Sequence, residues 1–362
     1  ASHAQTAITE LCPASGIAQR PAVFEPGGII ITPFDGANMW VYDIDRTTRY
    51  PLPQTSPCAG NCRLSPDARW LSFLNADNFI YSKMRLNGTQ RTPLASGASD
   101  VEWWSATQLL IWTPDHRAYL RVEADAAAEP QFLPVQGIRS VQPNGFHALQ
   151  INREADGSFS RYMVNLNDPV VAPIALGPER TYFNAASWSP DGRYLAYAGP
   201  AAFDESVGIM GAELFIAQPN SAIPQQATFL SSSYGAVRIN GYAPGELSWS
   251  PDSRYIAFWV IELLGSNVEA NTGNAVIHLL DVATLQLVRF CGFGTPEHTP
   301  NPSRLVWSPD GTHIAFAGNV PEDGKGALLL ALDISNGQLT ELSNGIFPAY
   351  GIADVTAWGY AP

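Results

Sequence analysis

One decapeptide recurs three times in nearly the same form, and nothing else in the chain limits its architecture so severely. Residues 188–197 read Trp-Ser-Pro-Asp-Gly-Arg-Tyr-Leu-Ala-Tyr, and residues 249–258 read Trp-Ser-Pro-Asp-Ser-Arg-Tyr-Ile-Ala-Phe. Residues 307–316 read Trp-Ser-Pro-Asp-Gly-Thr-His-Ile-Ala-Phe, and a fainter copy occupies residues 64–73. Self-similarity of this kind marks an array of like units. Ser-Pro-Asp-Gly predicts a type I turn: Pro190, Pro251 and Pro309 fix φ, Asp191, Asp252 and Asp310 follow, and glycine takes the left-handed position. Ala68 and Ser253 at that position predict a cost of about 1 kcal/mol. The apolar run after the turn is what a strand covered on both faces needs. Trp188, Trp249 and Trp307 end the preceding strands and are expected to pack between neighbouring units. The three aspartates read as turn residues rather than as ligands or catalytic carboxylates.

The template uncovers weaker copies at residues 99–120 and 138–151, the second turning at Pro143-Asn144-Gly145. A second pair of strands follows each hairpin, as in residues 327–334 and 338–342. Four strands per unit is the propeller blade. Residues 352–358 read as a first strand ending in Trp358 with nothing after it, and residues 26–32 as a second strand with none before it. Joined, they complete a blade and abolish the sheet edge. First strands are expected to end near residues 64, 104, 141, 188, 249, 307 and 358. The expected fold class is all-β: a seven-bladed β-propeller of four-stranded antiparallel blades, its ring closed by the C-terminal strand pairing with N-terminal strands. Removing the last ten residues is expected to open that ring. The expected division is an N-terminal extension (1–25) and a single propeller (26–362). Blade 1 is split between 26–53 and 350–360, and blades 2 to 7 fall at approximately 60–95, 99–135, 137–177, 183–230, 245–291 and 303–343.

The repeat resembles the WD-like repeat of the TolB-type propeller family, strongly over residues 188–316 and more faintly over most of 26–362. The family's namesake is a six-bladed periplasmic propeller behind a small α/β domain. This chain departs from it in counting seven blades and in leaving no room for that domain. The same repeat occurs in the propellers of prolyl-oligopeptidase-like enzymes. Their hydrolase domain would require a Gly-x-Ser-x-Gly elbow and alternating strands and long helices, and neither occurs here.

Charge and cysteine usage narrow the partners. A net charge of −13 repels phosphate backbones, which argues against nucleic acid. No apolar run reaches the roughly 18–20 residues that span a bilayer. The four cysteines Cys12, Cys58, Cys62 and Cys291 allow three pairings. The favoured one joins Cys58 to Cys62 and Cys12 to Cys291, pinning the N-terminal segment to the body. Free thiols in a cytosolic protein are the alternative, and a zinc site lacks a second closely spaced pair. The segment before the propeller lacks the charged and apolar regions of a signal peptide and could be the remainder after one is removed. An extracytoplasmic location, whether secreted, periplasmic or at the cell surface, is therefore expected.

Candidate chemistry is sparse. The six histidines fall in different blades or loops, with His147 and His278 in apolar strands and His313 at the tyrosine position of the repeat. Asn152-x-Glu154-x-Asp156-Gly157-Ser158 alternates oxygen-bearing side chains as calcium loops do, but lacks the distal glutamate and reads better as a hairpin turn. No cofactor is expected, with a divalent ion such as calcium the one exception considered. Long insertions at 199–212, 230–245, 262–274, 291–302 and 318–326 share one face of blades five to seven, where binding usually lives. Their acidic residues, Asp204, Glu205, Glu262, Glu269, Glu297, Glu322 and Asp323, suit a cationic protein surface. The expected function is a non-enzymatic, extracytoplasmic protein-interaction scaffold. Self-assembly as a surface or filament subunit is included, should residues 1–25 extend to a neighbouring copy instead of packing on their own propeller. The alternatives are a lactonase- or lyase-like enzyme with a central-channel site, and a carbohydrate-binding propeller using aromatics such as Tyr234 and Tyr242.

Overall fold

Seven sheets follow one another along the chain, each built on an antiparallel four-stranded meander. The computed structural model describes residues 8–13, 16–33, 38–55, 62–123, 129–133, 137–168, 170–179, 185–200, 211–240, 247–263, 272–291, 302–319, 327–342 and 354–362. Blades 2 to 5 are plain four-stranded meanders. Blade 2, for example, runs Arg63–Leu64, Trp70–Leu74, Tyr81–Arg85 and Thr92–Ala95. Blade 1 is made from both ends of the propeller: Ala357–Gly359 pairs antiparallel with Ile29–Pro33, Ile30 opposite Trp358. The fold is a seven-bladed β-propeller closed by that pairing.

The repeat sequence accounts for the local structure. Ser189 Oγ donates to Asp191 Oδ1 at 2.7 Å and accepts the Tyr194 N–H at 3.0 Å, while Asp191 Oδ1 accepts the Arg193 N–H at 3.0 Å. The same three bonds recur at Ser250 and Asp252, at Ser308 and Asp310, and in the fainter copy at Ser65 and Asp67. The turn is thus closed by its own side chains, which spares the backbone its orphan donors. Gly192 and Gly311 sit at φ 72° and 73°, and Ala68 and Ser253 adopt the same left-handed conformation at 55° and 61°.

The core lies between blades rather than within one. Trp259, Ile277 and Phe290 of blade 6 meet Trp307, Phe316 and Leu330 of blade 7. Leu214 and Ile216 of blade 5 meet Ile256 and Phe258 of blade 6. Each such side chain gains about 1.5–3 kcal/mol on burial, so the ring is held by side-by-side stacking.

Two features differ from a plain array. Blade 6 has its innermost strand in two pieces, Val237–Ile239 and Ser248–Trp249, both pairing with the long strand Tyr255–Leu263. The stretch read in sequence as a connecting loop (230–245) therefore contributes a short helix, Leu230–Tyr234, and a strand. The alternating Val237-Arg238-Ile239 finds a partner because the second and third strands of blade 6 run several residues beyond the usual length. The N-terminal segment also packs on its own propeller. Ile8–Leu11 lies parallel to Leu287–Phe290 as an outer strand of blade 6, and Ala18–Gln19 lies parallel to Leu339–Glu341 on blade 7.

Candidate functional site

Around the axis, repeat tryptophans reach back to the preceding blade. Trp249 Nε1 donates to the Ser187 carbonyl at 3.2 Å, and Trp307 Nε1 to the Ser248 carbonyl at 3.0 Å. Trp103 makes the equivalent bond to Arg63 at 3.3 Å. Serine hydroxyls reach forward: Ser187 Oγ donates to the Leu247 carbonyl at 2.8 Å and Ser248 Oγ to the Leu305 carbonyl at 2.6 Å. Trp188 is buried at the end of its strand, and Trp358 donates to the Gly27 carbonyl at 2.8 Å. Ion pairs join Arg63 to Asp100 at 3.4 Å and Arg304 to Asp354 at 3.2 Å, between blades 2 and 3 and blades 7 and 1. Burial pushes the Asp354 carboxyl above its ordinary range, opposed by Arg304 and by backbone N–H donors.

Strand direction places the connections between second and third strands, and those between blades, on one face. Beneath that face, between blades 4 and 5, Arg161 is fully buried. Its Nη2 donates to the Ala198 carbonyl at 2.7 Å, its Nε lies 3.3 Å from Glu179, and its guanidinium sits 4.9 Å from the centre of the Tyr197 ring. Arg139 donates to the same glutamate at 2.7 Å. Burial lowers the Arg161 pKa against the opposing pull of Glu179, and burial raises that of Tyr197. In blade 5 the buried Glu213 carboxylate accepts from the hydroxyls of Thr228 and Ser231 and from the backbone N–H groups of Leu230 and Ser231, all within 2.9 Å. That carboxylate ties the short helix to the sheet. His278 Nε2 lies 3.0 Å from the Tyr234 hydroxyl, and its Nδ1 lies 3.1 Å from the Val276 carbonyl. Burial pushes its pKa down to about 4, so the ring is neutral near pH 7. These charges serve as bridges between strands and blades: the Glu213 carboxylate is held by four donors, and the Arg161 guanidinium by the Ala198 carbonyl and the Glu179 carboxylate.

The residues singled out from sequence fare unevenly. Glu262 is exposed, opposite Val237 at the end of its strand. Asp204, Glu205, Glu269, Glu297, Glu322 and Asp323 lie outside the described residues, as do Tyr242 and Cys58. Tyr234, read as an exposed aromatic, is half-buried with its hydroxyl on His278. Asn152 to Ser158 forms a hairpin in which Ser158 N and Oγ both bond Asp156 Oδ1 at 2.9 and 2.6 Å, and Glu154 accepts from the Tyr162 hydroxyl at 2.9 Å. Those carboxylates are taken up by the turn itself. Pro190, Pro251 and Pro309 occupy their turns between the bonded serine and aspartate.

Cys12 and Cys291 are joined by a disulfide with Cα atoms 4.6 Å apart, and Cys62 is disulfide-bonded as well. Among the described residues one group, Glu10 with Cys12 and Cys291, brings three potential ligand atoms within 4.8 Å of one another. Both sulfurs are in the disulfide, so neither is a thiolate. Sequence reasoning missed the two outer strands and the buried Arg161 and Glu213. The adjacent β-branched pair Ile8-Thr9 is the one local signal for the first; an isolated charge in a strand carries no comparable signal.

No family model matches the chain. Protein HIR1 of Candida albicans is 25% identical over 189 residues, 42% of this chain and 21% of that protein, so the match spans about a fifth of the curated relative. Oligogalacturonate lyase from Vibrio parahaemolyticus superposes with a TM-score of 0.52 at 11% identity, covering 85% of this chain and 87% of the lyase. A functionally unknown protein from Desulfotomaculum acetoxidans gives 0.51 at 11% identity, covering 91% and 99%. TolB from Acinetobacter baumannii gives 0.42 at 14% identity, covering 90% and 81%. These likenesses are of fold. The likenesses to the lyase and to the Desulfotomaculum protein support the fold class and nothing finer.

Proposed function

We propose that this propeller is an extracytoplasmic scaffold that binds a protein partner through its loop-bearing face. The observation that carries the reading is the Cys12–Cys291 disulfide, which holds the N-terminal strand on the outer edge of blade 6. Disulfides of this structural kind persist in oxidising compartments. The partner reading rests on sequence: the insertions of blades five to seven carry Asp204, Glu205, Glu262, Glu269, Glu297, Glu322 and Asp323 on a scaffold with net charge −13. Such a face favours a cationic partner surface, recognised with fast, salt-sensitive association.

The test uses the full chain, immobilised, with bound proteins from the extracytoplasmic fraction of the source cells fixed by cross-linking. A variant carrying Asp204→Asn, Glu205→Gln, Glu322→Gln and Asp323→Asn should lose at least about ten-fold in capture, and wild-type capture should fall with salt. Equal capture by both proteins overturns the acidic-face reading. Maleimide labelling of Cys12 and Cys291 in the native host overturns the oxidising location.

A further inference from the structure

We infer that the N-terminal segments 8–13 and 16–24 form a second closure of the ring, locked by the Cys12–Cys291 disulfide and released by reduction. The pairing of Ala357–Gly359 with Ile29–Pro33 closes the ring inside blade 1. The N-terminal segment crosses that seam on the outside. Its last part is anchored in blade 1, where Arg20 donates to the Ile44 carbonyl at 3.2 Å and to Thr47 Oγ1 at 2.8 Å. Its middle lies on blade 7: Ala18 and Gln19 pair with Thr340 and Glu341, Gln19 Nε2 donates to Glu341 at 3.0 Å, and Gln338 donates to the Gly16 carbonyl at 2.8 Å. Its first part lies on blade 6, where Ile8–Leu11 pairs with Leu287–Phe290 and Glu10 takes an ion pair from Arg289.

Phe24 shows that the segment is built into the seam rather than laid over it. In blades 5 and 6 the repeat tyrosine stacks on the tryptophan of the next blade, Tyr194 on Trp249 at 6.3 Å and Tyr255 on Trp307 at 6.4 Å. Blade 7 has His313 at that position. Phe24 fills the difference, 5.2 Å from the His313 ring and 6.5 Å from the Trp358 ring. The seam thus contains a side chain from the extension between the two repeat aromatics.

The disulfide joins residues 279 positions apart, enclosing three strands of blade 1, blades 2 to 5 and the strands of blade 6 from Val237 to Phe290 in one covalent loop. Blade 7 and the C-terminal strand lie outside the loop, held from both sides. While the bond is intact, the bridge from blade 6 across blade 7 to blade 1 remains even when the C-terminal strand lets go. Ring opening by removal of that strand alone is therefore expected of the reduced protein and not of the oxidised one. Reduction is a two-electron exchange with a dithiol. The reagent thiolate attacks one cysteine sulfur, breaking the Cys12–Cys291 bond, forming a mixed disulfide with that cysteine and expelling the other as a thiolate that takes up a proton. The reagent's second thiolate then displaces the cysteine sulfur of the mixed disulfide, leaving two protein thiols and a cyclic oxidised reagent. The short pairings at Ile8–Leu11 and Ala18–Gln19 are then held by few hydrogen bonds and open readily.

The experiment is amide hydrogen exchange on the full-length protein, oxidised and after dithiothreitol, with a Cys12→Ser, Cys291→Ser variant separating this bond from that of Cys62. Exchange in residues 287–290, 339–341, 29–31 and 357–359 should quicken at least ten-fold on reduction, and equally in the unreduced variant. Residues 108–112 and 147–153, in blades 3 and 4, should be unchanged. Unchanged exchange at the seam overturns the inference. Uniform acceleration in all seven blades also overturns it, because the bond would then be a global staple. If the variant does not fold, the oxidised and reduced wild type still give the reading.

Discussion

Trp249 donates its indole N–H to the Ser187 carbonyl, 3.2 Å away across the boundary between blades 6 and 5. Trp307 repeats the bond to Ser248 one blade on. The repeat tryptophan therefore does two things: it fills the gap between blades and fixes their register along the axis. Trp249→Phe keeps most of the apolar area but leaves the Ser187 carbonyl short of a donor, which should cost about 1–2 kcal/mol. Trp249→Ala should cost about 3–5 kcal/mol. Urea unfolding of the three proteins measures both, and equal midpoints for wild type and the phenylalanine variant would discard the register role.

The left-handed turn position gives a second, graded prediction. At Gly192 an added Cβ would stand 2.3 Å from the Pro143 carbonyl oxygen, whereas at Gly311 its nearest neighbour is Pro251 Cδ at 3.7 Å. Gly311→Ala should therefore cost only the left-handed conformation, about 1 kcal/mol, and Gly192→Ala clearly more. Ala68→Gly, at φ 55°, should stabilise by up to about 1 kcal/mol. Denaturation midpoints in the order Ala68→Gly, wild type, Gly311→Ala, Gly192→Ala check the argument.

Much of this architecture was readable from one decapeptide because its physics is local. Ser189, Asp191 and Gly192 close their turn with bonds that span a few residues, so the strand boundaries follow directly. Ring closure was also legible, since residues 352–358 read as a first strand and residues 26–32 as a second, and the two pair with Ile30 opposite Trp358. What escaped the sequence depends on partners far away in the chain. Phe24 is one apolar residue among many until His313 and Trp358 are beside it. Glu213 looks like a surface carboxylate until four donors from residues 228–231 surround it. The acidic loop residues remain a statement about composition, except for Glu262, which is exposed at its strand end.

Arg161 couples blade 4 to blade 5 through the Ala198 carbonyl and the Tyr197 ring, and its charge, with no exposed surface, is answered by Glu179 on the neighbouring strand of blade 4. Glu179→Gln leaves the buried guanidinium with its Ala198 carbonyl and the Tyr197 ring but without its anion. The loss should be about 3 kcal/mol, because breaking a buried pair costs more than the pair contributes. Arg161→Met combined with Glu179→Gln should recover most of that loss. A double-mutant cycle in urea provides the measurement, and additive losses would show that the two groups act separately.

His278 sets an acid limit on the boundary between blades 5 and 6. Its ring packs against Phe258 and Tyr234, and burial, with Arg289 adding to it, pushes its pKa down to about 4 from 6.5. The unfolded chain takes up a proton near pH 6.5 that the folded chain refuses until about pH 4, so the unfolded state binds more protons across that window. Stability contributed by the neutral ring is complete above the unfolded value and is lost as pH falls through the window, by about 3 kcal/mol at its lower end. His278→Gln does not titrate and can still bond the Tyr234 hydroxyl. The difference in unfolding free energy between wild type and His278→Gln should therefore be constant above pH 7 and shrink steadily between pH 6.5 and pH 4. His147 and His313, whose pKa values burial also lowers, are present in both proteins and cancel in that difference. A difference that stays flat from pH 7.5 to 4.5 would mean that the His278 ring accepts its proton in the folded state, and that the boundary opens to let it in.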